Sequence, residues 1–315
     1  VSDFMQHITD LCGTEHAAWA ENFNACLADT LTPTVKRHDD GTTFLLTGDI
    51  PAMWLRDSTA QLRPYLALAA EDSDIANLIA GLIRQQFRYI IIDPYANAFN
   101  EEPNGASWDK DDRSDFSSPW LWERKYEVDS LCGCVQGAWM LDGNTCNGDH
   151  CAVGVSGGVK KSLDVFETEQ QQERDPDVFI REAEMPTESL RNKGKGTRVE
   201  YRGMTGSGFR ASDDACTYHY LVPSNMFAAV VMGYLERIFG GEILDDADIA
   251  ARAGELRRTI TEGIEAHAKT TNRNGETIYA FETDGLGHVN IMDDSNVPSL
   301  MAAPYLGYCA PDDPT

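Results

Sequence analysis

The feature that most constrains this chain is an apolar repeat near 3.6 residues, recurring in segment after segment with almost no period-two alternation. Between residues 74 and 92, Ile75, Leu78, Ile79, Leu82, Ile83 and Phe87 form one stripe, and Pro94 follows it. That is the pattern of a helix buried on one face and stopped by proline. The same spacing predicts a helix through Phe4, Ile8, Leu11, Trp19, Phe23 and Leu27, behind a Ser2 or Asp3 cap and broken near Gly13. Further helices are expected over 58–70, 126–140, 158–171, 215–239, 245–269 and 296–308, eight in all. Strand signals reduce to 42–46 and a hairpin pairing 277–281 with 288–292 around Asp284-Gly285. No βαβ alternation, no G-x-G-x-x-G after a strand and no P-loop occurs, so the expected class is all-α.

Charge narrows the partners. Lys and Arg number 26 against 51 Asp and Glu, a net charge of −25. Such a surface repels phosphate backbones and anionic headgroups, which argues against nucleic acid and membrane as partners. No apolar run reaches the roughly 18–20 residues of a bilayer span. The eight cysteines are too sparse for a disulfide scaffold in 315 residues, and most read as core thiols. Cys132, Cys134, Cys146 and Cys151, with His150, cluster closely enough that a zinc site or one local disulfide stays open. Their C-x-C and C-x4-C spacings match neither a finger nor a ribbon.

Three segments carry chemistry. Residues 47–58, TGDIPAMWLRDS, set Trp54, Arg56 and Asp57 within four positions just before a helix. A tryptophan face suits the C–H groups of a pyranose, and Arg with Asp can make charge-assisted bonds to hydroxyls; the plain alternative is a capping Asp57 and a surface ion pair. In 120–130, WLWERKYEVDS, Glu123 and Glu127 would share a helix face, either as a solvated helix start or as part of a cleft. In 203–218, GMTGSGFRASDDACTY, two adjacent carboxylates, Asp213 and Asp214, open the predicted long helix that continues through Asn225. Like charges so close raise one pKa, and a protonated carboxyl is what a glycosidic oxygen needs from a general acid. A plain cap or a calcium ligand is the alternative. Asp293-Asp294 repeats the pattern. The long polar stretches 95–122 and 175–214 hold Trp108, Trp120, Trp122 and Phe209, and are expected to build one face of the helical core.

Together with MDDSNVPSLMAAPYLGY (292–308), WERKYEVDSLC (122–132) and SGFRASDDACTYHYLVPSNMFA (207–228), the first segment resembles glycoside hydrolase family 125, metal-independent exo-acting α-1,6-mannosidases. The resemblance implies a single (α/α)6-barrel catalytic domain over 1–315, lacking its C-terminal helical hairpins and carrying a small β-hairpin on one face. It implies inverting release of terminal α-1,6-linked mannose from mannose-containing oligosaccharides, with no cofactor and no metal. The acid is then Asp213 or Asp214; Trp54, Arg56, Asp57, Glu123 and Asn225 are substrate-binding candidates. The family's general base, a glutamate in a C-terminal segment, has no matching position in these residues. The stretch 133–158 departs from the family's helical hairpin, and Gly206 and Ala211 stand where Trp and Pro are expected. Two alternatives accompany this reading: a catalytically inactive mannose-binding remnant, and a calcium-dependent hydrolase using Asp213-Asp214 and Asp293-Asp294.

Overall fold

The structure is a computed structural model that describes residues 1–145, 155–171 and 177–315. Ten helical segments carry its frame: α1 (Ser2–Cys12), α2 (Ala17–Asp29), α3 (Leu55–Leu62), α4 (Leu66–Ala69), α5 (Ser73–Ile92), α6 (Val128–Thr145), α7 (Val155–Glu169), α8 (Val222–Phe239), α9 (Ala247–His267) and α10 (Ala303–Leu306). The chain is helix-rich, as its periodicity requires. In α5 the Asp72 carboxylate accepts from the Asp74 and Ile75 N–H groups, so a side chain satisfies two orphan donors. The predicted stripe is buried along its whole length, each Leu or Ile contributing about 1.5–3 kcal/mol. Asp246 caps α9 through the Ile249 N–H, and Pro223 lies in the first turn of α8, where a missing N–H costs nothing.

One core links these helices. α8 packs most extensively on α9 and also on α6, which in turn meets α3 and α5, while α7 lies on α5. Among the described residues no helix is long and apolar enough to cross a membrane.

Short strands sit between the helices. Val35–Arg37 pairs with Thr43–Leu45; Met53–Trp54, Ala98–Phe99 and Leu121–Glu123 form a three-stranded antiparallel sheet; Arg113–Ser114 pairs with Phe179–Ile180. The expected hairpin takes different partners. Thr277–Tyr279 pairs with Lys269–Thr271, and Glu282–Thr283 lies between Val289–Asn290 and Tyr220–Leu221.

Several helix limits also differ from expectation. The helix predicted from residue 58 starts at Leu55, so Asp57 sits in its first turn rather than capping it. The one predicted from 126 starts at Val128, whose N–H is taken by the Ser207 hydroxyl. The helix predicted from 215 starts at Val222, because the Glu282 carboxylate and a strand pairing occupy the backbone before it. Of the helix over 296–308 only Ala303–Leu306 forms. Pro298 disfavours helical geometry at Val297, and the Asp293 carboxylate ties the Leu300 and Met301 N–H groups into a loop.

Candidate active site

The site begins with a close approach. A Cβ on Gly133 of α6 would stand 3.0 Å from the Arg56 Cα, a contact so tight that α3 would have to give way, and glycine lets it settle this near to α6. Arg56 is thereby aimed at the loop leading into α6. Its Nη1 donates to Glu127 Oε2 at 3.1 Å and Asp129 Oδ2 at 2.7 Å, and its Nη2 to Asp57 Oδ2 at 3.1 Å. Glu127 and Asp129 have no exposed side-chain surface, whereas Asp57 is 44% exposed. The isolated surface ion pair is thus the wrong description of Arg56. Asp129 also accepts from the Ser224 hydroxyl of α8, at 3.0 Å.

Asp213 arrives from the other side on a tight turn. Phe209 and Ala215 bridge across its base, the Arg210 N–H donates to the Asp214 carbonyl, and the Asp213 N–H to the Arg210 carbonyl. Asp213 adopts φ 65°, a left-handed conformation that a non-glycine residue holds only when its surroundings enforce it. Lys125 Nζ supplies part of that constraint by donating to the Asp213 carbonyl at 2.9 Å. Arg210 anchors the turn through a 2.7 Å bond to the wholly buried Glu282, whose other oxygen accepts from the Thr217 and Tyr218 N–H groups and Asn290.

Asn97 joins the two sides. Its Nδ2 lies 3.0 Å from Glu123 Oε2, 3.5 Å from Glu127 Oε1 and 3.4 Å from Asp213 Oδ1, and its Oδ1 accepts the Lys125 N–H. Glu123 is further held by Arg181 Nη2 at 2.9 Å, and that guanidinium also binds Asp112 and Glu188. Burial pushes the Glu127 carboxyl well above the usual carboxylate range; Arg56 opposes this, while Asp213 and Asp129 add to it. Asp213 is likewise raised, by burial and by Glu123, against the pull of Lys125 and Arg56. Burial thus favours the protonated form of both carboxyls.

Beside it opens a cavity of about 320 Å³, in the range of small-molecule sites, with Arg56, Asp57, Gln136, Ala211, Asn296 and Tyr305 on its wall. Arg56 belongs to both cavity and cluster. Asp213, Asp214, Glu123 and Trp54 are not on that wall.

The expected residues thus part company. Arg56, Asp57, Glu123 and Asp213 assemble. Asp214 engages the turn through its carbonyl. Trp54 is 8% exposed and packs with Ala52, Ala98, Ile50 and Trp122 on the small sheet, so it offers no open platform. Asn225 is fully buried, accepts from the Thr205 N–H and donates to the Thr205 and Leu221 carbonyls, which leaves its amide nothing to offer a sugar. Asn97 and Glu282, which no motif marked, and Glu127, noted only as sharing a face with Glu123, take part in the same bonded cluster.

The calcium arrangement does not assemble. Asp293 is taken by backbone amides and Asp294 by the Ser212 hydroxyl at 2.6 Å. Among the described residues no group of three or more His, Cys, Asp and Glu side chains is placed to hold a metal ion. Cys132 and Cys134 are free, buried thiols of α6, and burial pushes both up; Cys146, Cys151 and His150 lie outside the described residues.

Comparisons with known proteins bear on the family. The family model of metal-independent α-mannosidases, GH125, matches residues 16–315. A solved Streptococcus pneumoniae structure from a family of metal-independent α-mannosidases, a non-productive substrate complex with α-1,6-mannobiose, superposes with a TM-score of 0.95. It is 46% identical, over 99% of this chain and 73% of that one. The meiotically up-regulated gene 157 protein of Schizosaccharomyces pombe is 34% identical over 94% of this chain, which spans 62% of that relative's length.

Proposed function

The chain belongs to the metal-independent α-mannosidases of glycoside hydrolase family 125, an enzyme family, and from that premise we propose that it removes terminal α-1,6-linked mannose from oligosaccharides with inversion. The observation that carries the chemical part is the meeting of Asp213 with Glu127 and Glu123 next to the cavity that Arg56 and Asp57 line. Supporting the linkage is the α-1,6-mannobiose bound by the streptococcal relative.

In this reading the terminal mannose occupies the cavity, with Arg56 and Asp57 bonding its hydroxyls. Asp213, kept neutral by burial and by Glu123, gives its proton to the departing glycosidic oxygen. Water attacks C1 from the opposite face, and its proton passes to a second carboxylate about 6.5–9.5 Å from the first. The resemblance gives that carboxylate as a glutamate of the family's C-terminal part. We further assign the helical pairs, α8 on α9 and α5 on α6 among them, to an (α/α)6 barrel.

The test uses the full-length protein and α-1,6-mannobiose. Asp213→Asn is expected to lower kcat by roughly 10²–10⁴ with KM little changed, and Asp214→Asn to lower it far less. Proton NMR of the first product is expected to show β-mannose. Full activity in Asp213→Asn overturns the acid assignment, and initial α-mannose overturns inversion. Calorimetric mannose binding without turnover would leave only a binding protein.

A further inference from the structure

The cluster holds more carboxylates than it can ionise. Three cations, Arg56, Lys125 and Arg181, face seven carboxylates: Asp57, Asp112, Glu123, Glu127, Asp129, Glu188 and Asp213. Asp57 and Glu188 reach solvent, at 44% and 37% exposure. Glu123, Glu127 and Asp129 do not, being at most 4% exposed, and depend on partners within the protein. Removing an ion from water costs several kcal/mol unless a partner compensates, so an unmatched buried carboxyl takes a proton instead.

Where that proton sits follows from the hydrogen bonds. Asp129 has Arg56 on one oxygen and Ser224 on the other, and Glu123 has Arg181 and Asn97. Both are fully matched by donors. Glu127 Oε1 and Asp213 Oδ1 instead converge on one nitrogen, Asn97 Nδ2, at 3.5 and 3.4 Å. Two buried carboxyls that meet at a single long amide contact lower their repulsion by holding a proton between them. The remaining Glu127 contacts, Arg56 Nη1 at 3.1 Å and the Ser130 hydroxyl at 2.8 Å, fall on its Oε2, and its Oε1 turns toward Asn97 and away from the guanidinium. The thiol of Cys216 completes the titratable surroundings of this carboxyl, and burial keeps it protonated.

We propose that Glu127 and Asp213 share one proton and that Glu127 is the positioning residue that keeps it on the acid. This rests on the reading of Asp213 as general acid. In turnover the glycosidic C1–O bond breaks, its electron pair stays on the departing oxygen, and that oxygen takes the proton from Asp213. The shared proton has then left the pair, so both carboxylates are ionised, Glu127 against Arg56, until solvent returns one proton to them. Sharing is the behaviour of a coupled pair, which titrates as a unit rather than as two residues.

The test combines a variant with a direct view of the proton, both on the full-length protein. In Glu127→Gln the amide donates to Asp213 and stabilises its charged form, so the alkaline limb of kcat/KM for α-1,6-mannobiose moves down by about one pH unit or more. The rate recovers toward the parent as the pH is lowered. A merely structural role would depress the rate at every pH and leave the limb in place, which overturns the proposal. Infrared titration covers the case of a variant that folds poorly. The parent is expected to show a protonated-carboxyl C=O band at neutral pH that disappears in Asp213→Asn; its absence from the parent overturns the shared proton. Should Asp213→Asn stay fully active while the parent band is present, the acid assignment falls and the shared proton stands.

Discussion

Replacing Arg56 with methionine tests the electrostatic core of the site, because it removes three charge-assisted bonds and keeps most of the side-chain volume. Glu127 and Asp129, both without exposed side-chain surface, lose their common cation. Stripping a buried charge of its partner costs about 3–5 kcal/mol. Glu127 already favours its proton, so the larger part of this falls on Asp129, whose remaining donor is Ser224. In the parent, burial works to lower the Arg56 pKa and the carboxylates outweigh it, so the arginine stays charged and its partners can ionise. In the variant the folded protein must hold about one further proton on a carboxyl whose pKa now exceeds its unfolded value. Such a group adds stability below the unfolded pKa and loses it as the pH rises toward the folded pKa. The deficit against the parent therefore grows with pH, by about 1.4 kcal/mol per unit for one proton. It is expected to be about 1–2 kcal/mol near pH 5 and about 3–5 kcal/mol near pH 8. Urea unfolding followed by tryptophan fluorescence at stepped pH gives both numbers. A deficit independent of pH, or one under about 1 kcal/mol near pH 8, would refute the reasoning.

Three further outcomes are expected. Asn225→Ala, which orphans the Thr205 N–H and two carbonyls, is expected to cost about 2–4 kcal/mol in chemical unfolding while leaving KM for α-1,6-mannobiose within about twofold, since its amide is spent on backbone. Glu282→Gln weakens the buried anchor of Arg210 and of the turn bearing Asp213; calorimetry should show a lower Tm, and kcat should fall by roughly tenfold or more with little change in KM. Because the family is metal-independent and no metal-holding group exists among the described residues, dialysis against EDTA should leave the rate unchanged.

What the sequence disclosed of the fold follows from how locally each signal is encoded. The stripe through Ile75 and Phe87 predicts α5 almost residue by residue, because periodicity and Pro94 act within one segment. The start of α8 was not legible from residue 215 onward. What stops the helix there is Glu282, some 65 residues away, which claims the Thr217 and Tyr218 N–H groups. The same long reach explains the strand partners: nothing inside 277–292 announces that Tyr220–Leu221 will pair with Glu282–Thr283. Residues 296–308 carried a helical apolar spacing, and Pro298 with the Asp293 side chain overrode it over most of that length.

The site divides along the same line. Arg56 and Asp213 stood out because each sits in a short string crowded with Gly, an aromatic and charged residues. Glu123 and Glu127 were paired for the wrong reason. Their four-residue spacing suggested a helix face, but Glu123 ends a strand and α6 begins only at Val128. They meet because the Asn97 amide reaches both, and Asn97 itself lies in a segment with no motif to mark it. The opposite error concerns Asn225 and Trp54, polar or aromatic residues inside distinctive strings whose side chains are consumed by packing and backbone bonds. A residue's chemical type states what it can donate or accept. Only the count of partners already satisfied decides whether anything is left for a ligand. By that count Arg56 and Asp57 keep a face toward the cavity, and the Glu127–Asp213 pair keeps a proton, which is the asymmetry an acid-catalysed cleavage draws on.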